Sequence, residues 1–221
     1  MLLVLLAAAA SLTACAGTPP TAAPDPAVSP RPSASTQPST LRQGIAGADT
    51  ASAPSVGNAV TGTFLPWSDR VPPTAVTYDP AVVPPGATVR LATSRDAAGV
   101  FVRLDVTGMV PRRSYGAHLH TGSCTAVPAQ AGPHYQHRRD PKAGPSAPSI
   151  DPSFANPDNE VWLDFTADAA GAGSAVIHEN WTFDEAHPPR SLIVHADVTR
   201  TGKGVAGMAG PRVACVRLAP R

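Results

Sequence analysis

Charge and aromatic surface are both scarce in this chain. Of its 221 residues 15% are charged and 5% are aromatic, and the formal net charge is +1. So even a balance gives no basic face for nucleic acid and no pull on a strongly charged partner. No long stretch repeats apolar residues at helical spacing, which argues against a helical domain. The apolar run at residues 2–10 is too short to cross a bilayer as a helix, which takes about 20 residues. A Gly-x-Ser-x-Gly nucleophile turn is missing, and so is a Walker loop, so neither serine-hydrolase nor P-loop chemistry is indicated. What is abundant is Pro, at 26, and Gly, at 18. That composition fits an all-β domain with many turns joined to an irregular segment.

The N-terminal apolar run ends in Leu12-Thr13-Ala14-Cys15. The run reads as the core of a signal peptide, and the tetrad resembles the lipobox of bacterial lipoproteins. That resemblance implies a signal peptide over 1–14, lipidation of Cys15 and a membrane anchor of several acyl chains. An ordinary secretory peptide or a short buried helix is the alternative, and no Lys or Arg precedes the run. Residues 15–57 are rich in Pro, Ala, Ser and Thr with no periodic apolar face. Such a segment buries too little surface to offset its ordering entropy, and reads as a semi-stiff tether. With Cys15 lipidated, two of the three cysteines remain, Cys124 and Cys215. An exported chain meets oxidising conditions, where two cysteines usually pair; two free thiols is the other reading.

From residue 58 the pattern becomes one of short strands. Val100, Val102, Leu104 and Val106 alternate with Phe101, Arg103 and Asp105, and Val161, Leu163 and Phe165 with Trp162, Asp164 and Thr166. Further strands are expected over 59–64, 72–78, 88–92, 115–120, 174–177, 191–196 and 212–218, the second at a sheet edge because it opens on Pro72-Pro73. Eight or nine strands with Gly/Pro turns predict a β-sandwich or barrel. Residues 122–159 show little periodicity, and an irregular stretch of that length in a compact domain usually serves function.

The chemistry centres on histidine. His118 and His120 lie two apart in an expected strand, so both rings point to one face while Leu119 enters the core. An imidazole-only site suits copper, zinc, iron or nickel, and among the divalent ions copper binds most tightly.

These residues resemble the copper/zinc superoxide dismutase family. Gly116-Ala117-His118-Leu119-His120 is similar to its Gly-Phe-His-(Ile/Val)-His strand, and Gly122-Ser123-Cys124 to the Gly-x-Cys that follows. Gly132-Pro133-His134-Tyr135 resembles a segment whose His touches copper, and Ser191-Leu192-Ile193-Val194-His195 the strand ending in the last copper ligand. Ala209-Gly210-Pro211-Arg212-Val213-Ala214-Cys215 resembles the segment carrying an active-site arginine and the second disulfide cysteine. The resemblance implies a Greek-key β-barrel over 58–221. It assigns copper to His118, His120, His134 and His195, a disulfide to Cys124 and Cys215, and the guiding of superoxide anion to Arg212. His134 would also help deliver a proton.

The family's zinc subsite is not matched. Beyond His134 the long loop offers only His137, and Asp140, Asp151, Asp158, Glu160 and Asp164 are unmatched substitutes. A copper site without a proper zinc site is therefore expected, with Glu160 steadying His134 in zinc's place. His137, His178 and His187 match no ligand, and Trp67, Trp162 and Trp181 read as packing. The function expected is an extracytoplasmic, membrane-anchored dismutase cycling a His-ligated copper. The alternatives are a lipoprotein that binds or buffers copper with little turnover, and a structural lipoprotein that has lost its metal.

Overall fold

Alternation decides most of this fold. The computed structural model describes residues 57–144 and 147–218. In it Val100, Val102, Leu104 and Val106 turn inward and are buried, while Phe101 and Arg103 stay exposed. The signal peptide expected over 1–14, Cys15 and the tether as far as residue 56 lie outside the described residues. The described residues form nine strands: β1 (Asn58–Leu65), β2 (Ala75–Thr77), β3 (Thr88–Asp96), β4 (Gly99–Thr107), β5 (Ser114–His120), β6 (Phe165–Thr166), β7 (Gly173–Glu179), β8 (Ser191–His195) and β9 (Arg212–Arg217). Among the described residues the only helical turn is a 3₁₀ segment at Pro128–Ala131. No helix there is long and apolar enough to cross a membrane.

The strands run in the order β6-β5-β8-β9-β2-β1-β3-β4-β7. The connections from β4 to β5 and from β7 to β8 join strands far apart in this order, as a Greek key requires. The two end strands nearly close the sheet. Phe165 of β6 lies so near Gly173 of β7 that a Cβ there would come within 2.7 Å of its ring. The barrel interior is filled by Phe64, Leu91, Leu104, Tyr115, Leu119, Leu192 and their neighbours. The expected all-β Greek-key barrel is the architecture found.

Two expected strands come out differently. The segment that opens on Pro72-Pro73 is not an edge strand: β2 sits inside the sheet, parallel to β1 and antiparallel to β9. It can do so because the ladder begins only at Ala75, past both prolines, where every residue has an N–H to donate. The alternating run 161–166 is regular only at its last two residues. Its burial alternates as expected, with Val161, Leu163 and Phe165 inward. However, the Asp164 carboxylate, rather than a main-chain carbonyl, accepts the Ala117 N–H at 3.1 Å, which interrupts the ladder.

A second, smaller apolar cluster lies outside the barrel: Val76, Ala131, Ile193, Cys124 and Cys215, with Trp67 and Tyr78 against it. Cys124 and Cys215 are joined as a disulfide across 91 residues. The bond fastens the start of the long loop to β9, and Tyr78 and Ser191 add side-chain hydrogen bonds to Thr125 O and Gly122 O.

Candidate metal centre

The outward face of β5 carries His118 and His120, yet both are fully buried. The long loop covers them. His134 bridges antiparallel to His120, and Trp162 to His118. The main chain of this cover is fixed to β5 by Tyr135 N donating to Leu119 O at 2.8 Å and Leu163 N to Ala117 O at 2.7 Å. His195 closes β8, where an irregularity in the β8–β9 register sets it opposite Arg212.

Four imidazoles thereby converge. One ring nitrogen from each of His118, His120, His134 and His195 lies within 4.8 Å of the others. A metal–nitrogen bond of about 2.0–2.1 Å spaces opposed ligands by about 4.2 Å, so small inward ring shifts would close the set on one ion. The remaining nitrogens are held from outside. His120 Nδ1 donates to Gly132 O at 2.9 Å and His195 Nδ1 to Gly210 O at 3.1 Å. His134 Nδ1 meets Glu160 Oε2 at 2.7 Å, and His118 Nε2 meets Thr199 Oγ1 at 2.6 Å. This leaves His118 Nδ1, His120 Nε2 and His195 Nε2 buried without a hydrogen-bond partner. Buried polar atoms normally find partners; three orphans turned to one point fit a metal ion.

The electrostatics agree. Burial, reinforced by the other imidazoles and Arg212, holds His118 and His120 well below the usual histidine range. Burial likewise brings His195 down to about 3. All three are neutral at physiological pH, the state in which imidazole binds metal.

Arg212 is half-buried beside the cluster. Its Nη1 donates to Pro128 O at 3.0 Å and Ala129 O at 3.3 Å, and its Nη2 to Gly132 O at 2.7 Å. The Gly132 carbonyl thus serves both the guanidinium and His120. Desolvation pushes Arg212 below its ordinary value, but a guanidinium keeps its charge. It lines, with His134, His195, Arg139, Ile150 and Met208, a cleft of about 610 Å³ that opens the centre to solvent.

Glu160 is almost fully buried and accepts three bonds: from His134, from Gln136 Nε2 at 2.8 Å and from Trp162 Nε1 at 2.7 Å. Trp162, expected as packing, belongs to the site: it also sets its ring 5.8 Å from that of His118. His137 does not join the cluster and stacks on Trp181 at 4.8 Å. His178 and His187 are exposed. Asp140 and Asp151 serve local turns, with Ser149 Oγ donating to the first and Ser153 N to the second. Among the described residues no other group of three or more His, Cys, Asp or Glu could share an ion. Gln136 and Thr199 were not foreseen. The signal for the outward set was nonetheless present: Glu160, Trp162 and Asp164 fall on the face opposite the apolar Val161, Leu163 and Phe165.

Fold and site together define a β-barrel protein with a histidine metal centre on the outside of its wall, under a disulfide-pinned loop. Residues 86–217, more than half of the chain, match the copper/zinc superoxide dismutase (SODC) family. The chain belongs to that family. Among solved structures it is similar to a Cu/Zn superoxide dismutase from Brucella abortus, at 17% identity, TM-score 0.48, over 73% of this chain and 100% of that one. It is also similar to a double mutant of a superoxide dismutase-like protein from Bacillus subtilis, at 17% identity and TM-score 0.40, over 58% and 87% of the two chains. A single mutant of the same protein gives 16% identity and TM-score 0.40 over 59% and 88%. No curated protein matches the chain.

Proposed function

We propose that this chain is an extracytoplasmic superoxide dismutase that uses copper alone, held by His118, His120, His134 and His195. The observation that carries this reading is the convergence of partnerless buried imidazole nitrogens beside a half-buried arginine. An all-imidazole donor set favours copper among the divalent ions. Against zinc, His134 Nδ1, the atom a bridging histidine would turn to a second ion, is hydrogen-bonded to Glu160, and among the described residues no second group of three or more His, Cys, Asp or Glu could hold an ion.

Copper bound there would supply alternating one-electron oxidation and reduction, taking superoxide to O₂ and hydrogen peroxide. The residues do the rest. Arg212 is fixed by three carbonyls, so its charge faces the cleft without a rotamer search. It draws in the small anion and hydrogen-bonds it; focusing of this kind raises encounter rates by roughly 10–10³. His134 Nε2 can take up and release a proton while Nδ1 stays bonded to Glu160. Glu160 keeps that ring in place through the cycle, with Gln136 and Trp162 holding the carboxylate.

Export and anchoring through a lipid on Cys15 are part of the proposal. Leu12-Thr13-Ala14-Cys15 supports them, and so does the Cys124–Cys215 disulfide, since such bonds persist in oxidising compartments. The test is superoxide disproportionation by copper-loaded protein, compared with His118→Ala and His195→Ala. Activity should require copper and fall to background in both variants. Tight copper binding without turnover in the wild type would instead favour a copper-holding protein.

A further inference from the structure

We propose that Thr199, backed by Asp164, is a positioning residue that sets which nitrogen His118 turns to the metal. The inference rests on the reading that the four histidines bind copper. His118 differs from the other three. They are held through Nδ1 by a carbonyl or carboxylate, which can only accept, so each presents Nε2 to the centre. His118 is held through Nε2, and its partner is a hydroxyl, which can donate or accept. The hydroxyl alone therefore leaves the tautomer open.

Asp164 removes that freedom. Thr199 Oγ1 donates to Asp164 Oδ1 at 2.8 Å, and Thr199 N donates to Asp164 Oδ2 at 2.8 Å. Ala117 N takes a further place on Oδ1 at 3.1 Å. A carboxylate gives back no proton, so the Thr199 hydroxyl proton is committed to it and only a lone pair remains for His118. His118 must then carry its proton on Nε2 and expose the lone pair of Nδ1, one of the buried atoms without a partner.

Sequence and packing explain how a residue 81 positions away reaches this ring. Gly116 precedes His118 by two and lies on the same face of β5. A Cβ there would stand 3.1 Å from Thr199 Oγ1, 2.8 Å from Asp197 O and 2.7 Å from Ala209 Cβ. Glycine lets the loop after β8 settle on the strand, where Gly116 N donates to Asp197 O at 2.7 Å. One loop thus supplies both the hydroxyl on His118 and, through Gly210, the carbonyl on His195.

The experiment reads tautomer and affinity, both without superoxide, so it stands apart from any failure of the dismutase reading. In metal-free wild-type protein, ¹⁵N NMR should show His118 protonated on Nε2. Thr199→Val keeps the shape and removes the hydroxyl; copper(II) affinity by chelator competition should fall about 10–100-fold, with an altered copper EPR spectrum. Thr199→Ser should restore both. Asp164→Asn can offer the hydroxyl an N–H, reversing it to donate to His118, and should weaken copper binding similarly. A His118 proton found on Nδ1 in the wild type, or wild-type affinity and spectrum in folded Thr199→Val, would overturn the proposal. The NMR arm needs no variant to fold.

Discussion

Arg212 shows how much one side chain's surroundings add to its chemistry. Alone it is a surface cation; here three main-chain carbonyls hold its fork, leaving its charge aimed at the cleft. Replacing it by alanine should leave copper binding intact while kcat/KM for superoxide falls by roughly tenfold or more. The residual rate should also lose most of its dependence on ionic strength. Pulse radiolysis across a salt series measures both, and a variant as fast and as salt-sensitive as the parent would remove Arg212 from the reaction. The residue could be singled out from its place three before Cys215. Its tether could not, because the acceptors are carbonyls of residues 128–132, and every residue has one. Glu160 differs: among five candidate carboxylates the sequence already points to it as the one that steadies His134, and the structure sets it on His134 Nδ1 at 2.7 Å.

Elements carry the site through one cross-link and one cover. The disulfide pins the loop holding the Pro128, Ala129 and Gly132 carbonyls to β9, two residues past Val213 and three past Arg212. Closing a loop of 91 residues contributes roughly 4–5 kcal/mol on the chain-entropy model, which is about 10 °C or more in melting temperature for a domain of this size. Cys124→Ser should therefore melt about that much lower. It should lose activity before it unfolds, as the carbonyls drift from Arg212. Calorimetry beside an activity–temperature curve checks this; coincident losses would show that the bond stabilises without positioning. Most strands were legible because burial alternates with period two, as in β4. The two departures, at β2 and at 161–166, arise where a proline lies just outside a ladder and where a carboxylate replaces a main-chain acceptor. Neither event changes the hydrophobic pattern from which strands are read.

For the molecule as a whole, burying three imidazoles ties metal-free stability to pH. His118, His120 and His195 stay neutral in the folded state, the last down to about pH 3, whereas unfolded they would protonate near 6.5. Between pH 6.5 and 4.5 the unfolded chain thus binds up to three protons that the folded one refuses. Glu179 opposes this: burial and the nearby Asp158 raise it from 4.5 to about 7, so the folded state binds one proton the unfolded state lacks. Three against one leaves acidification destabilising, and the urea midpoint of metal-free protein should drop from pH 7 to pH 5. A flat or rising midpoint would show that the cluster is not buried as described. Strand pattern, the paired spacing of His118 and His120, and the order of ligands, cysteines and arginine are all written along the chain, since they depend on residue type and local period. The entry of Gln136 and Thr199 into the site is not. It depends on which atoms meet after distant segments pack, and a hydrogen bond across 24 or 81 residues leaves no periodic trace in the sequence.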